Sequence, residues 1–315
     1  MQIFKQTTKI DFMGKRRYAM VLSTVLILIS LGSLFTRGLN FGLDFTGGTL
    51  IEVGYGKAVD LKTVRQALEQ AGFKDVVVQH FGTTRDVLVR LAPQAETAEQ
   101  RTETLGDKVL EVLRAASDGP VEMRRQEFVG PQVGEELRDD GGLAMLIALA
   151  FILIYVMARF EYRLALGSVG ALFHDVIITL GAFSLFQWEF DLTVLAAILA
   201  VIGYSLNDTI VVFDRLRENF RRLRKETPVE IINISLNQTL SRTLMTSVTT
   251  LVVVLAMFFL GGELIHAFST ALIIGIVVGT YSSIYVASST ALALNITRAS
   301  LMPVQKEGAE GKSNP

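Results

Sequence analysis

Six stretches of this 315-residue chain are apolar over about the 20 residues a helix needs to cross a bilayer, each bounded by a polar or glycine-containing break. They cover residues 18–36, 142–158, 164–186, 192–213, 244–260 and 268–294. Half of the residues are hydrophobic and 19% are charged, with the charges gathered in blocks between the apolar runs. Backbone polar groups must be satisfied within lipid, so the runs predict six transmembrane helices in a polytopic α-helical membrane protein. The implied layout is a leading segment 1–17, a first span, an external domain over 37–140, five further spans within 141–297, and a tail 298–315.

Basic residues set the orientation, because cytoplasmic loops are enriched in Lys and Arg. Lys5, Lys9, Lys15, Arg16 and Arg17 precede the first run, Arg159 and Arg163 follow the second, and a cluster from Arg215 to Lys225 follows the fourth. The short loops 187–191 and 261–267 contain neither Lys nor Arg. Both termini are therefore expected in the cytoplasm and residues 37–140 outside. The first run is too long for a signal-peptide core and lacks a small-residue cleavage site, so it reads as a retained span. With no cysteine, the external domain must be held by its own core. A net charge of -1 argues against a nucleic-acid partner, and the basic cluster reads as a topology signal in contact with anionic lipid headgroups.

Residues 37–140 change periodicity in a regular order. TLIEVGY reads as a strand, DLKTVRQALEQAG as a helix capped by Asp60 and stopped by Gly72, and DVVVQHFG and DVLVRLA as two more strands. An amphipathic helix over 95–116, with Leu105, Val109, Val112 and Leu113 on one side, precedes a last strand, VEMRRQEFVG. The order βαββαβ predicts a ferredoxin-like α+β sandwich whose second sheet face is free to meet a partner. That fold is used for many purposes, and the domain shows no nucleophile beside a base and no metal-spaced cluster. His80 stands alone and reads as an ordinary strand residue.

Both connections between this domain and the membrane are rich in permissive backbone. FGLDFTGGTLIEV at 41–53 holds Asp44, placed to cap a turn, and the Gly47-Gly48 pair; FVGPQVGEEL at 128–137 holds Gly130-Pro131 and a short polar helix. These read as two hinges on which the domain moves relative to the bundle.

Ionisable groups within the spans are costly, and they usually mark an ion pathway. Asp208 lies in the fourth run, on the order of 8 Å inside its cytoplasmic end at a rise of 1.5 Å per residue. Ser205, Asn207 and Thr209 beside it suit interhelical hydrogen bonding. Arg242 opens the fifth run from the same side, ahead of Thr243, Thr246, Ser247, Thr249 and Thr250, and is open to two readings: pairing with Asp208 or reaching out to headgroups. The third run contains His174 and Asp175, which project about 100° apart on a helix. Asp175 shares its face with Ser168, Ala171 and Thr179 and is the one expected to point inward. Gly275, Gly279 and Ser283 recur every four residues in the sixth run, the small-residue spacing of close helix packing.

FGLDFTGGT, FVGPQVGEEL, VIGYSLNDTIVVFDRLREN, SRTLMTSVTTL and GTYSSIYVAS, in this order over residues 38–300, closely resemble the SecD/SecF family of bacterial protein-export membrane subunits. The resemblance implies an RND-type helical bundle in the bacterial inner membrane, partnered by SecD with its own six spans. It further implies action beside the SecYEG channel after the SecA motor has begun translocation, with the proton gradient as energy source, no cofactor, an unfolded preprotein as substrate and YajC as companion. The family's proton-path aspartate and arginine map onto Asp208 and Arg242, and Asp175 is a further candidate. Two other readings remain: a proton-driven small-molecule exporter of the same superfamily, against which the domain's lack of an aromatic-rich cleft argues, and a passive scaffold of the channel.

Overall fold

The computed structural model describes residues 8–73, 76–92, 102–117 and 119–301. One 3₁₀ turn, Met13–Lys15, leads into helix α1 (Arg16–Arg37), strand β1 (Asn40–Phe41) and the short helix α2 (Leu43–Thr46). The external domain comprises β2 (Gly48–Tyr55), α3 (Leu61–Gln70), β3 (Val77–Phe81), β4 (Thr83–Leu91), α4 (Thr102–Ala115) and β5 (Val121–Val129). The chain then runs through α5 (Pro131–Arg159), α6 (Tyr162–Phe186), β6 (Glu189–Phe190), α7 (Leu192–Arg222), α8 (Pro228–Leu260) and α9 (His266–Ser282). A π-helical segment, Ser283–Ala287, continues α9 into α10 (Ser288–Ala293), and α11 (Arg298–Leu301) closes the described chain. Among the described residues six helices are long and apolar enough to cross a membrane.

The domain's sheet is antiparallel in the order β3-β4-β2-β5, the ferredoxin-like arrangement that the βαββαβ order predicts. Alternation decides its faces. Ile51, Val53, Val87 and Val89 point to one side, where Val64 and Leu68 of α3 and Val109 and Leu113 of α4 close the core. Each such side chain contributes about 1.5–3 kcal/mol on burial. The Asp60 side chain accepts from Lys62 N at 3.0 Å, and Gly72 leaves α3 at φ +94°, as the sequence suggests. Residues 95–101 of the expected second helix and Asp75 of the expected second strand lie outside the described residues.

The second sheet face is not free. Leu50 and Leu88 meet Leu43 of α2, with Phe81 and Val129 packed against them, so this face rests on the chain's own membrane half. It is tied there by Arg90 of β4, which donates to Phe41 O at 2.9 Å and lies 3.5 Å from Glu189. β1 and β6 pair in parallel, joining the exit of α1 to the α6–α7 loop.

Helices α6, α7 and α9 form the centre of the bundle, whereas α1, α5 and α8 expose apolar side chains such as Phe35, Phe151 and Phe259 to the surroundings. Several helices outrun their apolar stretches. Helix α5 starts at Pro131, so the expected short polar helix and the second span are one rod. Helix α7 continues to Arg222 and takes up most of the basic cluster expected as a loop. Helix α8 starts at Pro228, far ahead of its apolar run, behind a capping box formed by Thr227 and Glu230. The reason is common to all three: hydropathy marks where a helix meets lipid, while caps and breakers mark where it ends.

Candidate functional site

Two buried carboxylates occupy the middle of the bundle. Asp208 on α7 is 6% exposed and Asp175 on α6 is 1% exposed. Asp208 Oδ1 accepts from Thr243 Oγ1 of α8 at 2.6 Å, and its Oδ2 accepts a short hydrogen bond from Ser283 Oγ at the head of the π-helical segment. None of the described ion pairs includes Asp208. Arg242, one residue before Thr243, projects to the exposed side of α8 and acts on the carboxylate only as a more distant charge. Of the two readings open for Arg242, a direct ion pair is not the one this conformation adopts.

Asp175 Oδ2 accepts from Ser205 Oγ of α7 at 2.5 Å and from Ser282 Oγ of α9 at 2.7 Å, and Oδ1 lies 2.8 Å from His174 Nδ1. The 100° between neighbouring residues does not keep His174 out of the interior. It is 3% exposed because α1 covers its side of α6, with Ser23 Oγ 3.1 Å from Nε2. The two aspartates are therefore read by adjacent residues of one helix, Ser282 for Asp175 and Ser283 for Asp208. A π segment carries one extra residue per turn, which lets consecutive side chains serve different partners.

Two of the three small residues spaced by four in the sixth span lie where α9 meets α7. A Cβ on Gly275 would stand 2.1 Å from Val201 Cγ2, and one on Gly279 would stand 3.1 Å from Ser205 Cβ, so both glycines let α9 close on α7. Ser283, expected to pack, is instead a donor to Asp208; the SerSer pair in GTYSSIYVAS was the available signal. Another cross-link connects α7 to α9 by way of α8: Tyr204 donates to Ser247, which lies 2.7 Å from Thr280.

The two connections expected as separate hinges form one joint. Gly47, at φ +66°, is so close to the start of α5 that a Cβ there would stand 2.9 Å from Pro131 Cα, and a Cβ on Gly134 would stand 2.9 Å from Gly47 N. Gly48, at φ +123°, faces Leu91 O, and Gly130 is the N-cap of α5 with Pro131 in its first turn. Asp44 does not cap its own turn. Its Oδ2 accepts from Leu192 N at 3.0 Å, at the start of the helix that carries Asp208. Phe45 stacks on Phe190 in the same joint.

Sequence reading missed three further features. Residues 8–13 dock on α8, where Asn237 and Asn233 hold Thr8, Ile10 and Met13 and bury the Met13 side chain. Polar and small residues are exposed on two of the spans, Gly203 and Asn207 on α7 and Arg242, Thr246 and Thr249 on α8, as an outward polar strip. Between the sheet and the bundle lies a cavity of about 630 Å³ lined by Phe81, Trp188, Phe258, His80 and His266. Its rings come from separate segments of the domain and the bundle that only the fold brings together, so it is not a cleft of the external domain itself. Among the described residues, no cluster of three or more His, Asp or Glu is placed to hold a metal ion.

Comparison with known proteins covers nearly the whole chain. A family model described as protein export membrane protein SecD/SecF, C-terminal, matches residues 108–297, and one described as SecD/SecF GG motif matches residues 32–59. The protein translocase subunit SecF of Vibrio alginolyticus is 56% identical over 316 residues, covering 100% of this chain and 99% of its own. That of Pseudomonas aeruginosa is 55% identical, covering 94% and 95%. A crystal structure of SecDF, described as a translocon-associated membrane protein from Thermus thermophilus, superposes with a TM-score of 0.83 at 40% identity, over 93% of this chain. The match spans only 40% of that longer chain. A SecDF structure in a super-membrane-facing form matches the same share of this chain with a TM-score of 0.69.

Proposed function

This chain belongs to the SecD/SecF family of protein-export membrane proteins, and from that premise we propose that it is the SecF-type half of a proton-driven device assisting preprotein export. It works with a SecD-type partner in the bacterial inner membrane, with both termini in the cytoplasm. The proton motive force, with no bound cofactor, drives late steps of translocation through SecYEG that no longer need SecA, on an unfolded preprotein and with YajC in attendance.

The observation that carries this reading is Asp208: a carboxylate buried inside the helical bundle, held by two hydroxyls, with no cation at ion-pair distance among the described residues. Hydroxyls serve either protonation state, because each can donate to a carboxylate or accept from a carboxylic acid. One charge crossing the membrane field gains about 2.3 kcal/mol per 100 mV, enough to shift a two-state equilibrium by more than tenfold. Ser283 passes the change at Asp208 to α9, and α7 runs outward to the Asp44 joint beneath the external domain. Asp175 joins the same relay through Ser205 of α7. The outward polar strip on α7 and α8 fits a partner span, since lipid cannot satisfy the exposed Asn207 amide. Arg242, on that strip, then sits between Asp208 and the partner's acidic groups.

Asp208→Asn and Arg242→Met are expected to co-purify with the partner and to lose gradient-stimulated export in reconstituted vesicles. Gradient stimulation retained by Asp208→Asn would refute the role given to Asp208, and full export by that variant with no gradient response in either protein would favour the passive scaffold. The aromatic-lined cavity keeps the small-molecule exporter as a second reading, and drug efflux by a strain lacking its own exporters and expressing this chain with its partner would favour it.

A further inference from the structure

The hydrogen bonds around His174 can be counted to a definite number of protons. Tyr281 Oη lies 2.6 Å from Ala19 O, a carbonyl that only accepts, so the single Tyr281 hydroxyl proton is committed there. Ser23 Oγ lies 3.0 Å from Tyr281 Oη, so Ser23 donates and Tyr281 accepts. Ser23 then has no proton left for His174, and the 3.1 Å contact requires His174 Nε2 to be the donor. A neutral imidazole protonated at Nε2 has a lone pair on Nδ1. That lone pair would face a lone pair of Asp175 Oδ1 across 2.8 Å, which is repulsive unless a proton lies between them.

We infer that His174 and Asp175 form a second proton-holding site, distinct from Asp208, which keeps one proton between Nδ1 and Oδ1 and is linked to Asp208 through Ser282 and Ser283. Whichever atom that proton sits nearer, imidazolium with carboxylate or imidazole with carboxylic acid, the pair carries two protons and no net charge. Removing the shared proton leaves a net charge of −1 and opposed lone pairs, so the contact opens.

Both serines that connect the sites have two acceptors for one proton. Ser282 is 2.7 Å from Asp175 Oδ2 and 3.1 Å from Gly279 O, and Ser283 has Asp208 Oδ2 and Thr280 O. Protonating Asp208 weakens its pull on Ser283, whose hydroxyl can swing back to Thr280 O; the adjacent Ser282 feels that movement in the π turn. The other titratable groups near the pair are Tyr281, whose ring stacks on His174 with centroids 6.1 Å apart, and Tyr285 behind it. From α1 only Ser23 reaches the pair, and α7 presents Ser205. No described Lys or Arg forms an ion pair with it.

The inference rests on the proton-coupled reading for its purpose, while its test reads protons directly. The chain has three histidines, so ¹⁵N-histidine magnetic resonance of the complex in lipid, reconstituted with only this chain labelled and with His80→Asn and His266→Asn as assignment controls, isolates His174. Expected is an imidazole protonated at Nε2 with a proton shared at Nδ1 at neutral pH, whose Nδ1 signal moves in Asp208→Asn. The same variants report gradient-dependent export, and His174→Gln is expected to change its pH profile while the protein still assembles. A neutral His174 with a bare Nδ1 overturns the shared proton, and an Nδ1 signal unmoved by Asp208→Asn overturns the link. A shared proton in a protein whose export ignores the gradient would sink the coupling role but leave this site standing.

Discussion

Asp44→Ala should loosen the joint between the external domain and the membrane bundle. The Asp44 carboxylate accepts from Leu192 N, one of the otherwise unpaired amides at the start of α7, while Asp191 already holds Val194 N at 2.8 Å. A hydrogen bond to a charged acceptor contributes about 1.5–3 kcal/mol, and negative charge at a helix N-terminus adds about 0.3–1 kcal/mol. Asp44 is only half-buried, so the low end applies, and the loss is about 2 kcal/mol, on the order of a 30-fold shift in population. Asp44→Asn keeps an acceptor and should lose less than half of that. The chain's single tryptophan, Trp188, lies in the same loop and stacks on Phe186 with centroids 4.7 Å apart. Its fluorescence during denaturation in mixed micelles therefore reports the joint itself. Wild-type denaturation behaviour for Asp44→Ala would refute the assignment of Asp44 to α7, and equal losses for Ala and Asn would refute the role given to its acceptor oxygen.

Gly275→Ala should destabilise the α7–α9 contact by about 1–3 kcal/mol, because its Cβ would overlap Val201, and Val201→Ala should restore most of the loss. A double-mutant cycle on unfolding checks this, and additive losses would contradict it. Burial pushes the Tyr55 phenol up to about 12. Below the unfolded value of ~10 the group is neutral in both states and its contribution is fully present. As pH rises from there to about 12 the unfolded chain ionises first, so stability falls across that window. Phenolate absorbance compared with Tyr55→Phe should show one tyrosine titrating late, and seven tyrosines titrating together would contradict it. Arg159→Ala, which breaks a half-exposed pair with Asp214, should cost under about 1 kcal/mol, and a larger change in unfolding free energy would call for a different role.

Much of this architecture was legible because its physics is local. A run of apolar residues implies a span whatever else the chain does, and alternation in TLIEVGY and DVLVRLA predicts strands that the sheet then pairs. Asp208 stood out because a charge in an apolar run has no local explanation. What sequence could not supply is which distant group answers each polar one. Asp44 reads as a local cap until α7 arrives 148 residues later. Spacing by four marks Gly275, Gly279 and Ser283 alike, yet the π segment turns Ser283 towards a carboxylate. His174 looks incompatible with Asp175 on a helical wheel because the wheel does not show that α1 encloses that side. Arg242, the natural partner of Asp208 by proximity in span order, projects away from it, while its neighbour Thr243 makes the bond.

The central claim is that protonation and deprotonation of Asp208 drive the device. The most direct measurement is completion of preprotein export in vesicles containing this chain and its SecD-type partner, with and without an imposed proton gradient, for wild type and Asp208→Asn. The account predicts that the gradient accelerates completion in the wild type and has no effect in the variant, with equal assembly and equal gradient-independent export in both. An Asp208→Asn protein that responds to the gradient as the wild type does would contradict it.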